Sequence, residues 1–281
     1  MGISIVLALA LSSAAPAPPS AVWKPGFGLA TLWNDGNAEV SEYEAREVVE
    51  GSPRVSRAVF IVVAEDFRTD RLVKPDRPGG RDAIRVLKLN RVRSIPVGVY
   101  RYEQMLSAFL GADRLDAVKL TVLSHDWCGN TFVEWRRDHP SLEIRSYWEE
   151  PADVDVPFDP DDALFYDALP LKLRGLDFER TREALVKVVD SLFTNRPARP
   201  VIQDGRLAVA RAPGADGAWR VTLTRGEHRD VFEFERAFPH RLRSWDRGSD
   251  GTLRLVASRR FRYWEKNAPG DERLLSSPGT R

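Results

Sequence analysis

The chain has 281 residues, of which 43% are hydrophobic and 30% charged, and its formal net charge is +1. These proportions describe an ordinary globular chain, long enough to bury a large core. So small a net charge gives no drive towards nucleic acid or an anionic membrane, and a single cysteine, Cys128, excludes an intramolecular disulfide.

The N-terminus carries a short apolar run, Gly2-Ile-Ser-Ile-Val-Leu-Ala-Leu-Ala-Leu11, followed by small residues and prolines. It is too short to span a bilayer. It has the form of a signal-peptide core with a cleavage region near Ala15-Pro-Ala17, although no Lys or Arg precedes it. The expectation is a signal peptide over 1–21 and a periplasmic or secreted product with no transmembrane segment. A single β-barrel-like domain is expected over 22–266, with a possible seam near 136–159, and a disordered tail over 267–281.

Residues 27–33 read as a strand, Asn34-Asp-Gly-Asn37 as a hairpin turn, and 38–49 as the partner strand. A turn at 50–54 and a third strand over 55–67 follow. Residues 68–82 form a polar Pro/Gly loop, expected to be exposed and mobile, and 83–92 resume strand character. The spacing of Tyr102, Met105, Leu106, Phe109 and Leu110 predicts a short amphipathic helix over 100–110. Residues 115–135 read as two strands broken at Cys128-Gly-Asn130, and 142–148 as another.

Acidic residues ahead of an apolar stripe predict a helix within 158–169, capped near Asp159 or Asp161. Residues 176–193 fit a helix through Leu185, Val188, Val189 and Leu192, or a strand through Ala184, Val186 and Val188; the neighbouring strands favour the second. From 200 to 264 one hairpin follows another. The clearest joins Trp219-Arg-Val-Thr-Leu-Thr-Arg225 to Asp230-Val-Phe-Glu-Phe234 through Gly226-Glu-His228. The fold class is therefore all-β: a large antiparallel barrel or strongly curved sheet with one or two short helices.

Several stretches resemble an exported bacterial family, domain of unknown function 3108. They are Phe158-Asp-Pro160 with Ala163-Leu-Phe-Tyr-Asp-Ala-Leu169, the hairpin of Trp219-Arg-Val-Thr-Leu and Phe232-Glu-Phe-Glu, and Phe238-Pro-His-Arg-Leu-Arg-Ser-Trp245 with Asp250-Gly251. The segments 30–40 and 127–132 are similar to uncharacterised envelope proteins of Gram-negative bacteria. The resemblance implies a curved sheet or barrel in the periplasm or envelope and carries over no catalytic residue.

One local cluster has the residue types of a nucleophilic site, Ser124-His-Asp-Trp-Cys-Gly-Asn130. A cysteine nucleophile needs a base and the base an orienting partner; Cys128, His125 and either Asp126 or Asn130 supply the types. On a strand, however, positions three apart face opposite ways. The competing reading is a hairpin turn with Cys128 and Trp127 packed in the core and Asn130 at the left-handed position; Trp127 and Asn130 are also binding candidates. The histidines, His125, His139, His228 and His240, are scattered, so no metal or other cofactor is expected. Arg241, Arg243, Arg259 and Arg262 read as a solvated outer face.

The function read from the sequence is an exported soluble barrel, leaning away from catalysis. It would bind an apolar or amphipathic envelope ligand such as a lipid, or a partner protein, and no nucleic acid. The alternatives are a Cys-dependent hydrolase or transferase at the Cys128 turn, or a purely structural envelope factor. What decides among them is whether the interior of the barrel is open or filled.

Overall fold

Period-two alternation organises most of the chain. The computed structural model describes residues 22–77, 82–150, 153–214 and 216–275. The strands of the first half are β1 (Ala38–Val49), β2 (Ser52–Arg68), β3 (Ala83–Val97), β4 (Tyr100–Gly111), β5 (Ala117–His125), β6 (Asn130–Arg136), β7 (Ser141–Ser146) and β8 (Val154–Pro157). Those of the second half are β9 (Leu164–Phe165), β10 (Glu183–Val189), β11 (Ile202–Arg211), β12 (Trp219–Arg225), β13 (His228–Phe234), β14 (Leu242–Asp246) and β15 (Thr252–Phe261).

All of them belong to one sheet in the order 8-7-6-5-4-3-2-1-15-14-13-12-11-10-9. Neighbours are antiparallel except β9 and β10. The last strand pairs with the first, Ala38 opposite Phe261, and this joins the two halves. The edges are β8 and β9, which follow one another in the chain. The sheet is therefore open, and residues 158–163 run across its gap.

The sheet curls around its own chain. The segment after the gap holds one short helix, α1 (Leu169–Lys172), flanked by 3-10 turns at Tyr166–Ala168 and Leu173–Gly175. Leu169, Leu171 and Leu173 of this plug are fully buried. Phe165 meets Trp135 of β6 at 4.7 Å between ring centroids, Tyr166 meets Trp245 of β14 at 5.2 Å, and Phe178 stacks on Trp219 of β12 at 5.3 Å. One segment touches strands far apart in the sheet order, which requires strong curvature. The plug belongs to the main buried apolar cluster together with both halves of the sheet, so the interior is filled.

Four expectations are corrected. Residues 100–110 are β4, not a helix. Tyr102, Gln104, Leu106 and Ala108 face inwards, and the helical spacing came from Met105 and Phe109 on the outer face. There Phe109 stacks on Phe67 at 4.5 Å, in an outer cluster that includes Leu72 from the 68–77 segment. Residues 27–33 are not a strand: the chain runs in 3-10 turns at Phe27–Leu29 and Thr31–Asn34. Asn34-Asp-Gly-Asn37 then leads into β1 without forming a hairpin, Asp35 Oδ1 accepting the Asn37 amide at 2.8 Å. Neither Asp159 nor Asp161 caps a helix. Asp159 Oδ1 accepts the Asp161 amide at 2.9 Å, the chain is extended at Leu164–Phe165, and α1 starts only at Leu169.

Residues 183–189 are strand, as their neighbours suggested. From 267 onward, a 3-10 turn forms at Asp271–Leu274, and Leu275 packs against the outer-face cluster of Ala38, Val40 and Val63. The expected signal peptide at 1–21, residues 78–81 of the polar loop, 151–152 of the possible seam and the end of the tail at 276–281 lie outside the described residues.

Candidate interaction surface

The β5–β6 connection is a tight turn built by one carboxylate. Asp126 Oδ1 accepts the amides of Cys128 at 2.7 Å and Gly129 at 3.1 Å, while the Asp126 amide donates to the Gly129 carbonyl. An aspartate closing its own turn in this way is a local device that needs no partner. His125 and Asn130 face each other across the ladder, and His125 Nδ1 lies 2.5 Å from Asn130 Oδ1.

Cys128 is exposed, not buried as a core reading of the turn requires. Asp126 binds its backbone amide, and no hydrogen bond of the described residues joins its thiol to His125. Trp127 projects into solvent and does not pack in the core.

The antiparallel order brings further turns to the same end. The β1–β2 turn at Glu50-Gly51, the β3–β4 turn at Gly98-Val99 and the β7–β8 connection stand beside the β5–β6 turn. Tyr102 Oη donates to Glu50 Oε1 at 2.7 Å, which ties the first two; burial, then this bond to a carboxylate, pushes the Tyr102 phenol upwards. The rings of Tyr100 and Trp127 lie 6.3 Å apart, which links the next two. Tyr147 packs so closely on Gly129 that an alanine Cβ there would lie 2.4 Å from its Cγ. Four apolar side chains stand out along this row: Val48 is 58% exposed, Val99 87%, Trp127 77% and Tyr147 61%.

Beneath the tips lies a buried polar row. Gln104 Nε2 donates to Ser124 Oγ at 3.0 Å, and Arg93 Nε donates to Gln104 Oε1 at 2.6 Å. Arg93 Nη1 and Arg247 Nη2 both donate to Glu47 Oε1, at 3.0 and 2.6 Å. The row also holds the chain between β10 and β11. Arg93 Nη2 donates to the Phe193 carbonyl at 2.9 Å and Thr131 Oγ1 to that of Asn195 at 3.1 Å. Asp167 of the plug accepts Ser191 Oγ and the Leu192 amide, each at 2.7 Å. These bonds join the strands beneath the tips to one another and to the chain before β11, although Glu47 Oε2 and Arg247 Nε are buried without a hydrogen-bond partner among the described residues.

Of the two candidates read from the sequence, Trp127 stands in this row, whereas Asn130 faces His125 and does not take the left-handed position expected of it. Val48, Val99, Tyr100 and Tyr147 were missed, although Val97-Gly-Val-Tyr100 is an uncharged turn of hairpin type; the helical reading of the residues after it hid that signal. Among the described residues no cluster of His, Cys, Asp and Glu is arranged to hold a metal ion, and no helix is long and apolar enough to cross a membrane.

Together these features define a β-barrel-like protein: an open antiparallel sheet curled on its own chain, with aromatic turns at one end. No protein-family model matches the chain, which leaves the likeness to domain of unknown function 3108 without a matching model. No curated protein matches it either. Among solved structures, a beta-barrel-like protein of domain of unknown function DUF1849 from Brucella abortus superimposes with a TM-score of 0.48. The identity is 11%, over 80% of this chain and 98% of that one.

Proposed function

We propose that this protein is a non-catalytic binding module, exported to the periplasm or beyond, that seats its hairpin tips in the interfacial layer of a lipid bilayer. The observation that carries this reading is that Val99, Trp127 and Tyr147 on three turns, and Val48 on β1 just before a fourth, are exposed at one end of the sheet. Aromatic side chains with an apolar body and a polar edge favour the level of the lipid headgroups. The apolar N-terminal run supports export, and the filled interior directs binding to the outside of the molecule. The contacts of His125 and Cys128 supply no base for a thiol nucleophile and give the hydrolase reading no support.

With a net charge of +1, neutral lipid should suffice. The test is co-sedimentation with phosphatidylcholine vesicles, with tryptophan emission followed in parallel. Binding and a blue shift are expected. Burying an indole contributes about 2 kcal/mol, so Trp127→Ala should weaken binding by about tenfold or more. The proposal fails if vesicles do not retain the protein, or if Trp127→Ala binds them as well as the parent chain.

A further inference from the structure

At the opposite end, where β8 and β9 leave the sheet open, lies a cleft of about 440 Å³. This is within the range of small-ligand pockets, roughly 300–1,000 Å³. Leu110 of β4, Trp135 of β6, Phe165 of β9 and Trp23 form the apolar part of its lining, and charged side chains form the rest. Its buried charge is Lys172 at the end of α1. The ammonium donates to the Arg114 carbonyl at 2.8 Å and to Asp116 Oδ1 at 2.8 Å, and it lies 4.2 Å from the centre of the Trp23 ring.

The two ends of the Lys172–Asp116 pair differ in setting. The lysine side chain is almost wholly buried, whereas that of Asp116 is half exposed. Burial pulls the Lys172 ammonium downwards, and the hydrogen bond and charge of Asp116 oppose this. The rim carries both signs, Arg114 and Arg137 against Asp159, Asp161 and Asp162. These are exposed groups and are screened, whereas the buried ammonium is screened far less. The buried charge that a ligand seated in the cleft meets is therefore positive, and the carboxylate paired with it, Asp116, is half exposed and able to swing out into water.

We infer that the cleft binds a small amphipathic anion, whose acidic group takes the place of Asp116 on Lys172 while its apolar part lies along Trp23, the partly exposed aromatic of the lining. The site is at the other end of the molecule from the tips and does not depend on the lipid-surface reading.

The test is calorimetric titration of the full chain with decanoate below its micelle concentration, with decanol and decylammonium as neutral and cationic counterparts. Repeating it in Trp127→Ala separates this site from the tips. Decanoate should bind and its counterparts should bind at least about tenfold more weakly, as a charge-assisted hydrogen bond allows. Asp116→Asn, a change at a half-exposed side chain, removes the competing carboxylate and should tighten decanoate binding severalfold. Lys172→Met should abolish the preference for the anion. Should that variant not fold, Ala163→Trp, which fills the cleft from another lining residue and leaves the lysine in place, should block binding. Equal binding of decanol, or weaker decanoate binding in Asp116→Asn, overturns the proposal.

Discussion

Arg174 and Glu39 form a buried two-pronged ion pair, with Nη1 to Oε1 at 2.8 Å and Nη2 to Oε2 at 3.0 Å. Arg174 lies in the 3-10 turn after α1, and Glu39 on the inner face of β1, the strand through which β2 and β15 meet. Arg174 Nε also donates to the Pro239 carbonyl at 2.8 Å. One guanidinium thus ties the plug to the centre of the sheet and to the β13–β14 loop.

Removing one member of such a pair strands the other charge away from water. Arg174→Met should cost about 3–5 kcal/mol, and the double variant Arg174→Met with Glu39→Leu should recover much of that loss. Denaturant unfolding of both variants checks it. A double variant no more stable than the single one would mean that the guanidinium's bond to Pro239 dominates.

Acid should weaken the fold through Glu47. Burial pushes this carboxyl up, but the guanidinium groups of Arg93 and Arg247 outweigh burial and hold it below the usual carboxylate range. With the folded value below an unfolded one of about 4.3, the folded state binds fewer protons. The stabilisation is present above that value and is lost as pH falls through the folded one. Glu47→Gln should be less stable at neutral pH, by about 2–3 kcal/mol, because two partly buried guanidinium groups lose their counter-charge. Its melting temperature should fall less steeply than the parent's below about pH 5. Parallel acid limbs would show that Glu47 does not carry the effect.

Legibility of the fold followed the chemistry of each inner face. In the β12–β13 hairpin, Val221 and Phe232 pair on the buried face and Gly226 turns at φ +52°, so alternation and turn residue agree. On β4 they conflict. The inner face carries Gln104, satisfied by Arg93 and Ser124, and the outer face carries Met105 and Phe109. The polar partners come from other strands and are invisible in a local window, so the apolar spacing mimicked a helix. The candidate surface behaves likewise. The Asp126 turn is local and was readable, whereas its meeting with Val99, Tyr100 and Tyr147 is set by strand register.

Two glycines with positive φ should respond differently to alanine. At Gly226, φ is +52° and a Cβ would meet nothing within 4 Å, so Gly226→Ala should cost about 1–2 kcal/mol from the left-handed backbone alone. At Gly251, φ is +111° and a Cβ would lie 2.0 Å from the Arg46 carbonyl oxygen. There the β14–β15 turn or β1 must move, and Gly251→Ala should cost at least about 2 kcal/mol more than Gly226→Ala. Thermal unfolding of the pair gives the comparison, and equal losses would place the turn farther from β1 than this geometry has it.

Leu171 tests whether the plug is a core or a removable insert. It lies on α1, fully buried, and belongs to the apolar cluster shared by both halves of the sheet. Truncation to alanine removes packed methyl groups and leaves a void that the rigid sheet closes only in part. Leu171→Ala should therefore cost about 2–5 kcal/mol. The dependence of unfolding free energy on denaturant should stay that of the parent chain, because plug and sheet unfold together. A plug that could leave the sheet would behave otherwise: the variant would unfold in two steps, with a dye-binding intermediate in which the sheet persists and its inner face is bare. One shifted transition with an unchanged slope is the outcome expected of a sheet that needs its own chain as core.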